Sequence, residues 1–217
     1  ALGPGGNAEG AARGNVYIDC STIAPGVARS VAATLAEHGI EMLDAPVSGG
    51  DVGARAGTLA IMVGGEASVF ERCLRVLEGM GKTIVHVDPA GSGQVVKLCN
   101  QVAGGLNLLA LSEAVALARK AGVDPAKMLE VVGAGAAGSW MIQNLGPRAV
   151  AGDFAPGFMV DLMQKDLGLV LDEAKATQTP LPGSALVSQL FTMLQAEGRG
   201  EEGTQALVDA LRRMGSG

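Results

Sequence analysis

Lys97 is the side chain in this sequence best suited to proton transfer, because it is the single charge at the start of a long apolar segment. The amides Asn100 and Gln101 follow it. Residues four apart share one face of a helix, so Lys97 and Gln101 would point the same way. If the protein is an enzyme, its mechanism rests on this lysine. The alternative is a lysine at a helix start that extends over apolar surface to water.

The turn Ser48-Gly49-Gly50 is a candidate anion site, since it follows a predicted strand. Open α/β sheets bind ligands at the carboxyl ends of their strands. A serine hydroxyl and successive glycine amides can hold a carboxylate or a phosphate there. Thr22 occupies a similar position after an earlier strand. A plain tight turn and a helix-capping threonine are the respective alternatives.

Two glycine patterns imitate a dinucleotide-binding fingerprint. G-x-G-x-x-G occurs at residues 133–138, but it lies between two predicted helices, whereas the fingerprint must follow a strand. We interpret it as an interhelical turn. Gly91-Ser92-Gly93 does follow a strand, yet Val96 replaces the third glycine, so we interpret it as a strand-to-helix joint. The stretch 49–57 lacks the Gly-Lys-Ser/Thr ending of a P-loop.

Composition argues against several classes of protein. Net charge is −6 with no basic stripe, and aromatic residues make up only 3%, which argues against nucleic acid binding. No uncharged apolar run approaches membrane-spanning length, which argues against a membrane partner. Cys20, Cys73 and Cys99 are scattered, and the two histidines lie far apart. We therefore expect no disulfide framework or zinc site, and a reducing, cytoplasmic location.

Strands and helices alternate in the first part of the chain, which is the pattern of a layered α/β sheet. The predicted strands are 16–20, 40–45, 58–63 and 82–87, and the predicted helices are 26–38 and 67–79. Pro25 opens the first helix and Gly39 ends it. The inner face of the second helix comprises Val69, Phe70, Leu74 and Leu77. The stretches expected to be loops or turns are 1–14, 46–50 and 51–57.

Only helical patterns follow Gly93, so we place a domain boundary near Ser92, with domains at 1–91 and 92–217. The predicted helices of the second domain are 94–121, 125–132, 139–145, 160–177, 184–196 and 203–214. Asp124 and Pro125 supply a helix cap and the first helical residue at the start of one of them.

The helix predicted at 94–121 is long enough to be the spine of its domain. Gly104 and Gly105 weaken it by about 1 kcal/mol each relative to alanine, which predicts that a neighbour approaches closely there. A long apolar helix of this kind also favours dimerisation, because symmetric oligomers readily bury such surfaces.

Four ordered motifs resemble the β-hydroxyacid dehydrogenase family, which includes 3-hydroxyisobutyrate dehydrogenase, tartronate semialdehyde reductase and, more distantly, 6-phosphogluconate dehydrogenase. The similarity covers nearly the whole chain. In chain order the motifs are Ser21-Thr22-Ile23, then residues 44–50 with 57–59 and 62–65, then residues 91–101, and Lys165-Asp166-Leu167. The features that look most like the tartronate semialdehyde reductase branch are Asn100-Gln101, Leu106-Asn107 and Ser112-Glu113-Ala114.

This resemblance implies a fold and an assembly. Residues 1–91 would be the C-terminal part of a Rossmann-like, doubly wound NAD(P)-binding sheet. Residues 92–217 would be an all-α domain for substrate binding and dimerisation. The family's proteins act on small carboxylate-bearing substrates, and a homodimer or homotetramer is expected.

The resemblance also implies roles for individual residues. Lys97 would be the catalytic lysine, and Ser48, Gly49 and Gly50 would hold the substrate carboxylate. Asn100 or Gln101 would orient the substrate, although the family often has asparagine where this chain has Gln101. That difference slightly favours the reductase branch.

Three further residues would serve the cofactor, NAD or NADP. By the resemblance, Thr22 and Lys165 would touch the nicotinamide cofactor, and Asp166 would support that contact. Taken from the residues alone, Lys165 and Asp166 are typical of a solvated helix face. The sequence does not choose between NAD and NADP.

The implied chemistry suits a lysine. Hydride delivered to an aldehyde carbon leaves negative charge on oxygen, and an ammonium beside that oxygen stabilises the charge and donates the proton. In the oxidising direction the lysine must be neutral to accept the hydroxyl proton. Burial among Val95, Val96 and Leu98 would lower the pKa of Lys97 in the direction required.

The sequence departs from the family at its start, because it lacks the glycine-rich fingerprint of the first strand and begins with Ala1. Three interpretations follow. We favour a fragment or incomplete sequence of an ordinary dehydrogenase acting on a 3-hydroxyacid or semialdehyde. The second is a truncated, inactive chain that serves as an oligomerisation or carboxylate-binding module. The third is a non-enzymatic interaction protein that uses the helical surface.

Overall fold

The computed structural model of the chain describes residues 2–3 and 6–215. It divides into two compact units, residues 1–100 and 101–217, each with its own hydrophobic core. The predicted boundary near Ser92 coincides with the start of the long helix α5 (Ser92–Lys120), which begins in the first unit and ends in the second. The domain boundary at 91/92 stays a prediction.

A five-stranded mixed sheet lies at the centre of the described part of the first unit. Its strands are β1 (Val16–Asp19), β2 (Glu41–Asp44), β3 (Val47–Ser48), β4 (Leu59–Gly64) and β5 (Gly81–Asp88). The parallel pairs are β1 with β2 and β4 with β5. β2 and β3 run antiparallel to β4, with Asp44 opposite Gly64 and Ser48 opposite Ala60. The α/β fold class is confirmed.

Helices cover this sheet, and two of them lie where the sequence predicts loops. The helices before α5 are α1 (Asn7–Gly10), α2 (Pro25–Glu37), α3 (Gly50–Ala56) and α4 (Ala67–Glu78). The expected loops at 1–14 and 51–57 and the turn at 46–50 are therefore wrong in part, since they contain α1, α3 and β3. Tertiary contacts explain the difference. Ala8 packs on the cluster of Leu35, Ile40 and Met42. A β-carbon at Gly53 would lie 3.1 Å from Leu59 Cδ2, so this glycine lets α3 pack closely on β4.

Local signals place α2 and α4 correctly. Pro25 is the first residue of α2, and Gly39 follows it with a φ of +71°. In α4 the buried residues are Val69, Cys73 and Leu77, whereas Phe70 and Leu74 are half-buried. The inner face is thus centred one position away from the predicted one, with Cys73 in the core in place of Leu74.

The elements of the second unit, within its described residues, are helices, with one isolated bridge between Met159 and Gly203. After α5 come α6 (Pro125–Ala134), a π-helix (Met141–Leu145), α7 (Gly146–Val150), α8 (Val160–Ala176), α9 (Pro182–Ala196), a 3₁₀-helix (Thr204–Ala206) and α10 (Leu207–Met214). Pro125 opens α6, and Asp124 Oδ1 accepts the Ala126 N–H, as predicted. The helix predicted at 139–145 is confirmed in part, and its residues Met141–Leu145 form the π-helix. The G-x-G-x-x-G pattern spans the end of α6 and the turn after it, so it is an interhelical turn as expected.

The spine helix α5 supplies Leu108, Leu111 and Val115 to the core of the second unit. A β-carbon at Gly105 would lie 3.2 Å from Met163 Cε and 3.3 Å from Val187 Cγ1. This confirms the predicted close approach, which is made by α8 and α9. By length and a mean hydropathy of 1.4, α5 could cross a membrane. Its buried leucines and valine favour a core helix, since core helices meet the same criteria.

Candidate functional site

The end of β3 presents the predicted anion-binding turn. Ser48 is the last residue of β3 and is half-buried, while Gly49 and Gly50 are exposed. The φ angles are +134° at Gly49 and +63° at Gly50, which side-chain-bearing residues rarely adopt. The turn therefore depends on its glycines, and it follows the carboxyl end of a strand as predicted.

Lys97 lies beside this turn in the first unit. Its side chain is only 7% exposed, and its Nζ donates a 2.8 Å hydrogen bond to the Val47 carbonyl oxygen. Because Val47 immediately precedes Ser48, this bond holds the ammonium against the strand that carries the turn. Val95, one of the residues expected to bury the lysine, is itself exposed. Asn100 is half-buried, one turn further along α5.

Asp44 is a buried residue at this site whose role was not anticipated from the sequence. It is 1% exposed at the end of β2. Its Oδ1 accepts the Gly91 N–H at 2.7 Å and its Oδ2 accepts the Gln94 N–H at 3.0 Å. The start of α5 is thereby fastened to the sheet. The available signal was an acidic residue at the end of a buried strand, followed later by a glycine-rich helix start.

Gln94 is a second buried polar residue whose role the sequence patterns did not indicate. Its Nε2 donates to the Ser21 carbonyl at 2.9 Å, and its Oε1 accepts the Ile23 N–H at 3.1 Å. These two backbone groups flank Thr22, which is half-buried after β1. The signal for Gln94 was a lone amide in the first turn of an apolar helix.

Cys20 is the first residue of the loop that follows β1 and contains Thr22. Cys20 is exposed at the surface, but neighbouring protein atoms partly desolvate its thiol. This desolvation, and secondarily the carboxylate of Asp19, raise the pKa of the thiol above its ordinary value of 9.0. Asp19 Oδ1 also accepts the Ser21 N–H at 3.0 Å. All three cysteines are free.

The second unit brings together three other predicted residues, Gln101, Lys165 and Asp166. Gln101 Nε2 donates to Asp166 Oδ2 at 2.6 Å, and both side chains are buried. Lys165 Nζ lies 2.8 Å from Asp166 Oδ1 and is half exposed. Asp166 Oδ1 is buried and has no hydrogen-bond partner of good geometry among the described residues, so Lys165 balances its charge without a full hydrogen bond. The expected solvated face thus holds for Lys165 and is wrong for Asp166.

Other features of the described residues lie apart from these groups. No cluster of three or more His, Cys, Asp or Glu in residues 2–3 and 6–215 could hold a metal ion. A groove of about 540 Å³ in the second unit is lined by α6, the π-helix and α7, and contains none of the candidate residues.

Two family models together match almost the whole chain. Residues 1–88 match the NAD binding domain of 6-phosphogluconate dehydrogenase. Residues 91–211 match the family described as NAD-binding of NADP-dependent 3-hydroxyisobutyrate dehydrogenase. This chain belongs to the β-hydroxyacid dehydrogenase family of NAD(P)-dependent oxidoreductases.

Individual relatives agree with that assignment. An uncharacterised oxidoreductase of Synechocystis is 49% identical over 97% of this chain and 72% of its own length. The 2-hydroxy-3-oxopropionate reductase of Escherichia coli is 41% identical over 98% of this chain and 73% of its own length. The crystal structure of 3-hydroxyisobutyrate dehydrogenase from Salmonella typhimurium superposes with a TM-score of 0.87 at 36% identity, covering 94% of this chain and 72% of that one.

The residues present fit a nicotinamide cofactor. Dinucleotides bind α/β sheets outside the carboxyl ends of parallel strands, and the loop after β1 occupies such an end. Gln94 fixes this loop by two hydrogen bonds, so Thr22 is presented in a defined backbone conformation.

Proposed function

We propose that this chain acts on a short 3-hydroxyacid or its semialdehyde, of the 3-hydroxyisobutyrate or 2-hydroxy-3-oxopropionate type, with Lys97 as general acid and base. The observation that supports this most directly is the buried Lys97 ammonium, held on Val47 next to the Ser48 turn. A proton donor held beside a predicted anion-binding turn would suit a substrate that carries both a carboxylate and a reacting oxygen.

Each residue has a defined task in this mechanism. When bound, NAD(P) would be the hydride donor or acceptor for the substrate carbon. Lys97 Nζ donates a proton to the developing alkoxide on reduction and accepts the hydroxyl proton on oxidation. An ammonium has three hydrogens, so donation to Val47 is compatible with a further donation to substrate. The Ser48 hydroxyl and the backbone amides of Gly49 and Gly50 would bind the carboxylate.

The two amides of α5 have different tasks in this proposal. Gln101 Nε2 already donates to Asp166, so Gln101 would support that carboxylate. Asn100 would then orient the substrate. Thr22 in the first unit is proposed as a cofactor contact, and Lys165, balanced by Asp166, is proposed as another in the second unit.

We further propose a homodimer or homotetramer located in the cytoplasm. Exposed apolar side chains on the second unit support self-association, among them Leu117, Val131 and Trp140. Sedimentation equilibrium over a range of concentrations tests the proposed oligomer, and a monomer at all concentrations would contradict it.

Calorimetric titration with NADPH and, separately, NADH is the first test. It is run on the 217-residue chain. We expect saturable binding of at least one cofactor, followed by turnover of tartronate semialdehyde or 3-hydroxyisobutyrate. Folded protein that binds both cofactor and carboxylate but turns over neither substrate pair would overturn the proposed activity. Carboxylate binding without cofactor binding would instead support the carboxylate-binding module.

A further inference from the structure

We infer that Asp44 and Gln94 form a hydrogen-bond relay that positions two parts of the proposed active site together. The relay runs from the end of β2 through the start of α5 to the loop after β1. At one end it fixes the helix turn that leads to Lys97, and at the other it fixes the backbone on both sides of Thr22. Its catalytic meaning depends on the function proposed above, whereas its existence does not.

Asp44 is the anchor of the relay. The first amides of a helix have no partner within the helix, and they carry the positive end of its dipole. Asp44 places one carboxylate oxygen on Gly91 N–H and the other on Gln94 N–H, at 2.7 and 3.0 Å. A buried carboxylate with two backbone donors is a strong, directional attachment, because hydrogen bonds to charged groups exceed neutral ones in strength.

The surrounding backbone is built around this carboxylate. A β-carbon at Gly64 would lie 2.5 Å from Asp44 Oδ1, and one at Gly93 would lie 2.9 Å from Oδ2. The position of Gly64 therefore requires glycine while Asp44 keeps this conformation. Gly93 requires glycine in any case, because a β-carbon there would also meet the backbone oxygens of Met62 and Asp44. Gly64 is the residue paired with Asp44 across the sheet, so the space for the carboxylate is made by the β2–β4 register itself.

Gln94 carries the relay to the next element. Its backbone N–H is held by Asp44, and its side chain is fully buried. One end of the side-chain amide accepts from Ile23 and the other donates to Ser21, so both a donor and an acceptor are used. A glutamate at neutral pH lacks the donor and a methionine lacks both groups. Glutamine is thus required by hydrogen-bond complementarity as well as by size.

The relay makes a specific kinetic prediction. Gln94→Met removes both bonds to the Thr22 loop and leaves Lys97 and the Ser48 turn in place. The Kd and KM for the preferred cofactor should rise about tenfold, the scale of one to two lost hydrogen bonds, while KM for the hydroxyacid changes less than twofold. Gln94→Glu keeps the acceptor but places a buried carboxylate oxygen against the Ser21 carbonyl, so the cofactor Kd should rise at least as much as in Gln94→Met. Gln195→Met, at an exposed glutamine of α9, is the matched control.

Hydrogen exchange tests the relay without any activity. In the protein without added cofactor, Gln94→Met should raise the exchange rate of the Ile23 amide, and Asp44→Asn should raise those of Gly91 and Gln94. Unchanged exchange at these amides would overturn the relay, even if the variants lose activity.

If the wild-type protein binds no dinucleotide, the proposed function fails and exchange alone decides the relay. Suppose that the wild type is active and that Gln94→Met raises the exchange rate of the Ile23 amide. An equal rise in the cofactor KM and the substrate KM of this variant would then overturn the role of Gln94 in positioning the loop around Thr22.

Discussion

The buried polar residues of the candidate site have different kinds of hydrogen-bond partner in the two units. In the first unit Asp44, Gln94 and Lys97 all bind backbone atoms of the sheet and its loops. In the second unit Gln101 binds another side chain, Asp166, which in turn neighbours Lys165. A backbone partner is fixed by the fold and cannot be mutated away, whereas a side-chain partner can be replaced together with its mate. The two regions should therefore respond differently to paired substitutions.

The largest expected effect is on catalysis in the first unit. Lys97→Met should lower kcat by about 10²- to 10⁴-fold, the usual contribution of a positioned general acid or base. Steady-state assays with saturating cofactor measure it, with Lys82→Met at an exposed strand position as the control. Retention of wild-type kcat would remove Lys97 from the mechanism.

Asp44→Asn should destabilise the first unit by about 3 kcal/mol, since two hydrogen bonds from backbone amides to a charged group are disturbed. Denaturant unfolding of the whole chain gives the free energy of unfolding. Asp51→Asn, at an exposed position of α3, should change the free energy of unfolding little. Because the donors are backbone amides, a second side-chain substitution should not restore stability. If replacing Asp44 and a neighbouring side chain by two apolar residues restored the free energy of unfolding, the distinction between backbone and side-chain partners would be contradicted.

Gln101→Leu should destabilise the second unit by about 2 kcal/mol, because it leaves the buried Asp166 carboxylate short of a donor. The double variant Gln101→Leu with Asp166→Leu should recover part of this loss, as replacement of a buried polar pair by apolar residues often does. A double-mutant cycle measures the coupling energy. Strict additivity of the two substitutions would show that the Gln101–Asp166 bond contributes nothing.

Acid should weaken the C-terminal part of the second unit. Burial would raise the pKa of Asp209, but hydrogen bonds from Arg212 and Arg199 outweigh it and lower the pKa below its ordinary value of 3.8. A carboxyl group with a lower pKa in the folded state stabilises the protein above about pH 4, and this contribution is lost as the pH falls through the folded-state pKa. Asp209→Asn should cost about 1 kcal/mol at pH 7. The difference from wild type should vanish in strong acid. A pH-independent difference would contradict this, and exposed Glu201→Gln is the control.

The smallest expected effect concerns Cys20 in the first unit. Because the pKa of its thiol is raised, less thiolate is present at pH 8 than in a free cysteine peptide. Alkylation by iodoacetamide, followed by mass spectrometry of the Cys20 peptide, should be half-maximal above pH 9.0. Asp19→Asn should move that midpoint slightly down. A midpoint at or below the ordinary value would show that the loop after β1 is more open than described.

Predictability from the sequence differed between elements for a physical reason. Pro25, Gly39 and Asp124 act on their own helix ends, so their roles could be predicted from neighbouring residues alone. The helix α3 could not be predicted from neighbouring residues, because its glycines are typical of a loop. Its close packing depends on Leu59, which lies against Gly53 in the folded chain. The π-helix at Met141–Leu145 likewise has no local signature that distinguishes it from an α-helix.

The sequence by itself determined the family, the α/β and all-helical parts, and the candidate residues Lys97, Ser48 and Thr22, because these follow from periodicity and from short motifs. Only the tertiary structure decided which groups form hydrogen bonds with the buried polar side chains. Asp44 reaches Gly91 across 47 positions of the chain, and Gln101 reaches Asp166 across 65. Pairings at such separations depend on strand register and helix packing, which single-sequence patterns do not encode. That is why the relay through Asp44 and Gln94 emerged only from the folded chain.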